Sequence, residues 1–186
     1  NLVRSGMRVV QSIGLPADAA RIDADAVVIA LKSRTIAPDE AVAQSLAALD
    51  WLRRAGARQI YFKVCSTFDS TDQGNIGPVT EALMDALGCD FTIACPAFPA
   101  NGRTVYKGYL FTGDLLLSEG SMRDHPLTPM TDPSLVRVMQ RQCRRRVGLI
   151  EHAVVRRGSE AIAQRMAQLR SEGVGIAIVD ALDDGD

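Results

Sequence analysis

Lys63, Ser66, Thr67, Asp69, Ser70 and Thr71 place a cation, a carboxylate and four hydroxyls within nine residues, and Gly74-Asn-Ile-Gly77-Pro78 follows directly. Lys63 interrupts an apolar run, and an unpaired ammonium is costly to bury, so it must meet solvent, a carboxylate such as Asp69, or an anionic ligand. A ligand is the economical partner. Asp69 can accept hydrogen bonds from ligand hydroxyls, act as a general base, or cap a turn. The hydroxyls either touch the same ligand or satisfy loop backbone groups. The glycine-punctuated stretch presents amides at a helix N-terminus, a weak anion-favouring signal that an ordinary tight loop matches equally. This inventory suits a small, oxygen-rich anion such as a sugar acid.

Two other loops offer partners. Lys32-Ser33-Arg34-Thr35 follows the apolar run Ala26-Val-Val-Ile-Ala30, where the Arg34 guanidinium can hold a carboxylate in bidentate fashion; Lys32 reads as a solvated charge. Pro96-Ala-Phe-Pro-Ala-Asn-Gly-Arg103 offers Asn101, Gly102 and Arg103 on a path stiffened by proline. Arg141 and Arg144-Arg-Arg146 read as solvated charges favouring a helix C-terminus, with phosphate contact the lesser alternative. His125 and His152 stand alone, as site or structural residues. There is no Gly-x-x-x-x-Gly-Lys-Ser/Thr and no Gly-x-Gly-x-x-Gly.

The elements that must position these loops alternate. Ala26-Val-Val-Ile-Ala30, Ile60-Tyr-Phe-Lys-Val-Cys65 and Phe91-Thr-Ile-Ala-Cys95 are continuous enough for strands of a parallel sheet covered on both faces. Val42, Leu46, Leu49 and Leu52 predict a helix over 38–55 stopped by Gly56; Ile76, Val79, Leu83, Met84 and Leu87 predict another, with Pro78 in its first turn and Gly88 at its exit. Two βαβ units result. Their right-handed crossovers bring the loops after Ala30, Cys65 and Cys95 to one sheet edge, where they could share a cleft. Residues 104–114 predict a β-hairpin, 120–133 an ordered proline-rich loop, and 134–144 a short helix. Strands follow at 147–155 and 174–179, flanking a helix over 159–170 with Ser159 as N-cap. The fold class is α/β: three layers, α/β/α, with a mainly parallel sheet and a hairpin excursion.

A chain of 186 residues with 47% hydrophobic content fits one domain, taken as 1–186. Its 21 basic and 22 acidic residues nearly cancel, which disfavours nucleic acid or a membrane surface as partner. Cys65, Cys89, Cys95 and Cys143 lack metal-site spacing and read as ordinary thiols, and no apolar run reaches bilayer length or forms a signal peptide. A cytoplasmic setting is expected. Asn1-Leu-Val-Arg-Ser-Gly6 reads as the end of a helix capped by glycine, and the acidic stretch to Asp186 as a domain edge, so further sequence is expected at both ends.

Together, Ser33-Arg34-Thr35, the run K-x-x-S-T-F-D-S-T-x-x-G-N-I-G-P from Lys63 to Pro78, Pro96 to Arg103, and His125-Pro-Leu-Thr-Pro-Met-Thr-Asp132 resemble the N-terminal domain of the four-carbon acid sugar kinases, over nearly the whole chain. Within that family the 3-oxo-tetronate kinase branch is most similar. The resemblance implies binding of a four-carbon sugar acid by Ser33, Arg34, Lys63, Ser66, Asp69, Ser70, Asn101, Gly102 and Arg103, with Asp69 the candidate catalytic residue. It also implies ATP and Mg²⁺ in the full-length enzyme, held largely by a C-terminal nucleotide-binding domain. The family's Asp-Asp-x-Thr-Gly strand motif is absent from this sequence, so this stretch alone is expected to be inactive. A homo-oligomer is compatible with the reading, as are a non-catalytic sugar-acid-binding or regulatory module and an oligomerising scaffold.

Overall fold

The computed structural model describes residues 2–16 and 22–186. Asn1 lies outside them; residues 2–6 are turns rather than a regular helix, but they close as a glycine-capped helix end does, with Gly6 at φ 83°, its amide donating to the Val3 carbonyl at 3.0 Å and the Met7 amide donating to the Leu2 carbonyl at 3.1 Å. Strand β1 (Val9–Ile13), which no sequence pattern announced, pairs in parallel with β2 (Ala26–Ala30). Helix α1 (Pro38–Arg54) follows, opened by its proline and by Asp39 and Glu40, which complement the positive end of the helix dipole. Helix α2 (Ile76–Leu87) packs its Val79 and Leu83 against Ala41 and Leu49 of α1 and stops at left-handed Gly88.

Next come β3 (Thr92–Ala94), a meander of β4 (Arg103–Tyr106), β5 (Tyr109–Thr112) and β6 (Leu115–Leu116), and then α3 (Leu135–Gln142). The hairpin was legible, and its tight turn places Lys107 and Gly108 at φ 51° and 74°. Such a turn disfavours lysine. The buried Asp180 carboxylate holds it by accepting from the Lys107 and Gly108 amides at 2.7 and 2.8 Å. The chain ends through β7 (Arg146–Ile150), α4 (His152–Val155), α5 (Ser159–Ser171) and β8 (Val174–Val179). Strand β7 therefore stops short of residue 155, and Gly158 rather than Ser159 is the α5 N-cap.

Strand β8 sits between β3 and β7, all parallel. Alternate β8 side chains point to opposite faces: Ile176 and Ile178 meet Leu135, Val138 and Met139 of α3, while Ala177 and Val179 meet Leu169 and Met166 of α5. Helices thus cover both faces of this sheet, and the expected α/β class holds.

Two expectations about the sheet do not. It is split into β1-β2 and β3-β8-β7, and the run at 60–65 joins neither. Among the described residues, 60–64 make no hydrogen bonds. Burial nevertheless alternates along the run: Ile60, Phe62 and Val64 are half-buried against the core, while Tyr61, 78% exposed, and Lys63 are exposed. Coverage on both faces fails elsewhere as well, since Val28 and Ile93 are also exposed.

Candidate functional site

The loop after residue 65 turns at Phe68, whose φ of 48° is unusual for a residue carrying a side chain. Complete burial of its ring in the core with Leu110, Met130 and Ile176, and a hydrogen bond donated by its amide to the Cys65 carbonyl at 2.9 Å, hold the conformation. The neighbours on either side of Phe68 are thereby brought together: the Thr67 hydroxyl donates to Asp69 Oδ1. With that proton committed, the Cys65 thiol donates to Thr67 Oγ1 at 3.0 Å. Asp69 is only 6% exposed, and its Oδ2 lies 3.3 Å from Arg34 Nη1. The Arg34 side chain is 60% exposed, so one guanidinium reaches from a buried carboxylate to solvent.

Asn75 joins the two loops. Buried at the start of α2, it spends its side-chain amide not on capping that helix but on the Ser33 and Ile36 carbonyls, at 2.7 and 3.0 Å. Ser33 is therefore fixed through its backbone. Ser70 is held twice: its amide meets Met130 Sδ at 3.4 Å, and its Oγ accepts from Gln142 Nε2 at 2.6 Å. The proline-rich loop supplying Met130 is folded by His125, whose Nδ1 accepts from the Thr128 amide at 3.1 Å.

The anion reading of Gly74 and Gly77 needs correction. The Gly77 amide donates to Gln142 Oε1 at 2.8 Å and the Gly74 amide to the Thr71 carbonyl at 2.8 Å, so neither is available to a ligand. What demands glycine is space. A Cβ on Gly77 would stand 2.5 Å from Gln142 Cβ, and one on Gly74 would stand 1.8 Å from Ser70 Oγ.

Structure thus brings Arg34, Asp69, the Ser33 backbone and, through Asn75, Ser70's loop into one neighbourhood. Lys63 is exposed and pairs with no carboxylate among the described residues, Asp69 being taken by Arg34. Ser66 is half-buried, with no side-chain hydrogen bond described. Asn101 and Gly102 are exposed, Gly102 at φ 67°, and Arg103 donates to the Asn101 carbonyl. Among the described residues no hydrogen bond or ion pair joins residues 101–103 to the Asp69 loop.

The arginine cluster stays largely exposed to solvent, as expected, and is paired as well. Arg144 meets Glu81 and Arg145 meets Asp85 on α2, while Arg141 bridges Asp72 and Asp132 at 3.3 Å each. Arg137, hydrogen-bonded to Asp132, holds that carboxyl below the usual carboxylate range. Burial pushes the Cys143 thiol up to about 12. His152 lies 3.2 Å from Asp186, and its amide donates to Asp180. Beside the Ser70 loop opens a cavity of about 320 Å³, lined by Ser70, Thr71, Asp72, Met130, Asp132 and Arg141. Among the described residues no cluster of three His, Cys, Asp or Glu could hold a metal, and no helix is long and apolar enough to cross a membrane.

Thr67, weighed only as one of four interchangeable hydroxyls, proves to be the one bonded to Asp69, while Asn75, Met130 and Gln142 were missed. Asn75 stands inside the loop motif and could have been singled out there. Met130 and Gln142 lie 60 to 72 residues away, beyond any local pattern.

Comparison with known proteins places this architecture. The model of the family described as "Sugar-binding N-terminal domain" matches residues 1–186. A Burkholderia multivorans protein named 3-oxo-tetronate kinase is 64% identical over 185 residues, covering 100% of this chain and 43% of that protein. A Cupriavidus necator protein of the same name is 65% identical over 188 residues, covering 100% and 44%. The chain thus spans less than half the length of these curated relatives. A crystal structure of a Haemophilus influenzae protein of the DUF1537 family is 49% identical with a TM-score of 0.96, covering 98% of this chain and 44% of that one. A DUF1537 domain from Bordetella bronchiseptica, described as a domain-swapped dimer with bound citrate, is 30% identical with a TM-score of 0.77, covering 100% and 44%. On sequence and on architecture alike, the chain belongs to the family of sugar-binding N-terminal domains.

Proposed function

We propose that this domain binds the acceptor substrate of a kinase that phosphorylates a four-carbon sugar acid of the 3-oxo-tetronate, threonate or erythronate type. The observation that carries the reading is the exposed Arg34 guanidinium held over the buried Asp69 carboxylate. A cation reaching solvent offers two parallel donors to the acid's carboxylate, and a neighbouring carboxylate with Ser70 beside it offers partners to its hydroxyls. The names of the relatives support the same ligand class, and the Bordetella domain was solved with citrate, itself a hydroxylated carboxylate.

In this reading Arg34 neutralises and orients the acid, with Lys63 as a second cation beside the Asp69 loop. Asp69 orients the accepting hydroxyl and stands as a candidate to take its proton; Ser33, Ser66, Asn101, Gly102 and Arg103 complete the contact set. Holding the hydroxyl in line is most of what such a domain contributes to phosphoryl transfer. In the same reading ATP and Mg²⁺ serve the whole enzyme from a C-terminal nucleotide-binding domain, which the kinase names of relatives more than twice this chain's length support. Among the described residues the backbone of 60–64 is unbonded and open to a neighbouring strand. Homo-oligomers and a cytoplasmic setting are part of the same proposal.

The test is ATP-dependent phosphorylation of threonate, erythronate and their 3-oxo derivatives by the whole protein. Turnover of one acid supports the reading. Binding without turnover would favour a regulatory sugar-acid module instead.

A further inference from the structure

We infer that Gln142 is the positioning residue of the acid-binding loop, and that it acts by turning the Ser70 hydroxyl into an outward donor. The inference rests on the proposed acid site and names a residue from a distant helix as its organiser.

Gln142 is the last residue of α3, half-buried, and its side-chain amide is fully engaged with the loop. Nε2 donates to Ser70 Oγ and to the Thr71 carbonyl, both at 2.6 Å, while Oε1 accepts from the Gly77 amide at 2.8 Å. One planar group therefore pins the loop near both of its ends. The chemistry is selective. Glutamate keeps the acceptor but loses both donors, asparagine is a methylene shorter, and lysine or arginine lacks the acceptor.

The two glycines make the seat for this side chain. A Cβ on Gly77 would collide with Gln142 Cβ at 2.5 Å, and one on Gly74 would stand 3.0 Å from Gln142 Nε2 and overlap Ser70 Oγ. The Gly-x-x-Gly spacing, which looks like an anion loop in the sequence, is the hollow in which Gln142 lies.

The consequence for the site follows from proton counting. A hydroxyl has one donor proton and two lone pairs. Gln142 occupies a lone pair of Ser70, so the Ser70 proton remains for an acceptor in front of it, such as a carboxylate or hydroxyl oxygen of the ligand. Ser70, buried, directly follows Asp69 and lines the 320 Å³ cavity together with Arg141; Arg34 and Asp69 stand outside that lining. Substituting Gln142→Glu reverses the polarity: the new carboxylate accepts the Ser70 proton and faces the Thr71 carbonyl oxygen without a donor.

Two measurements on the whole protein decide the matter. In titrations with threonate, erythronate and their 3-oxo derivatives, Gln142→Glu should raise the Kd of whichever acid the wild type binds at least tenfold. In turnover it should raise KM for that acid at least tenfold while KM for ATP stays within twofold. Adding Gln142→Glu to Ser70→Ala should weaken binding less than threefold further, because the hydroxyl it redirects is already gone. Separately, amide hydrogen exchange over residues 70–77 should speed up at least tenfold in Gln142→Glu, and in Gln142→Met, which is close in size and removes all three bonds should the charged variant not fold. An unchanged acid Kd, or unchanged exchange in the folded variants, overturns the inference. If the wild type binds none of these acids, the proposed function fails, and the exchange comparison still decides whether Gln142 holds the loop.

Discussion

Gly77→Ala asks whether the loop and α3 fit as described. The added Cβ would stand 2.5 Å from Gln142 Cβ, 2.9 Å from Cys143 Sγ and 2.9 Å from the Gln142 carbonyl oxygen. One of these is backbone, so the clash is not relieved by a rotamer change, and α2 must withdraw from α3. Overpacking of this kind costs about 1–3 kcal/mol. Stretching the bond from the Gly77 amide to Gln142 costs about 0.5–1.5 kcal/mol more. Alanine's better helix propensity returns about 0.5–1 kcal/mol. The net is about 2 kcal/mol, which for a domain of this size lowers Tm by roughly 4–8 °C. Thermal unfolding followed by circular dichroism measures it, with Gly120→Ala as the control: Gly120 has φ −98°, and a Cβ added there would meet nothing nearer than 3.9 Å. A Gly77→Ala protein as stable as wild type would refute the packing argument.

Other outcomes follow from the same geometry. Asp69→Asn leaves the loop folded but removes the charge opposite Arg34, so kcat/KM for the acid should fall about 10²-fold or more; turnover within threefold of wild type would remove Asp69 from its role. Asp132, whose folded pKa is depressed by Arg137, contributes stability that is present above its unfolded value of about 3.9 and is lost as pH falls through the lower folded value. Urea midpoints between pH 6 and 2 should therefore decline less steeply in Asp132→Asn. Cys143, with its thiol pushed up to about 12, adds stability that is intact below the unfolded value of about 8.5 and lost as pH rises towards 12. Iodoacetamide at pH 8 should label exposed Cys89 while sparing Cys143 until the domain unfolds.

Local patterns made much of this molecule legible. The apolar stripe of α2, the glycine stop at Gly88 and a hairpin within 104–114 are dictated by a few neighbouring residues, and each stands where the sequence puts it, the hairpin turning at Lys107-Gly108. The run at 60–65 shows the limit: its composition says strand, but whether a ladder forms depends on a partner backbone that no window reveals. Its inward Ile60, Phe62 and Val64 and outward Tyr61 and Lys63 alternate in a way that continuous hydrophobicity disguised. The candidate site was legible in the same measure. Arg34 and Asp69 were singled out from separate loops and meet at 3.3 Å, whereas residues 101–103 make no bond to them among those described. Gln142 escaped notice because its partners lie 65 to 72 residues earlier, and two glycines shaped by packing mimicked an anion loop.

Isothermal titration of the whole protein with threonate, erythronate and their 3-oxo derivatives, in wild type and Arg34→Ala, tests the central claim most directly. One acid should bind one to one, and Arg34→Ala should weaken it about 10- to 100-fold, the value of a charge-assisted hydrogen-bonded pair. Absence of heat with every acid, or equal affinity in the two proteins, would contradict the account.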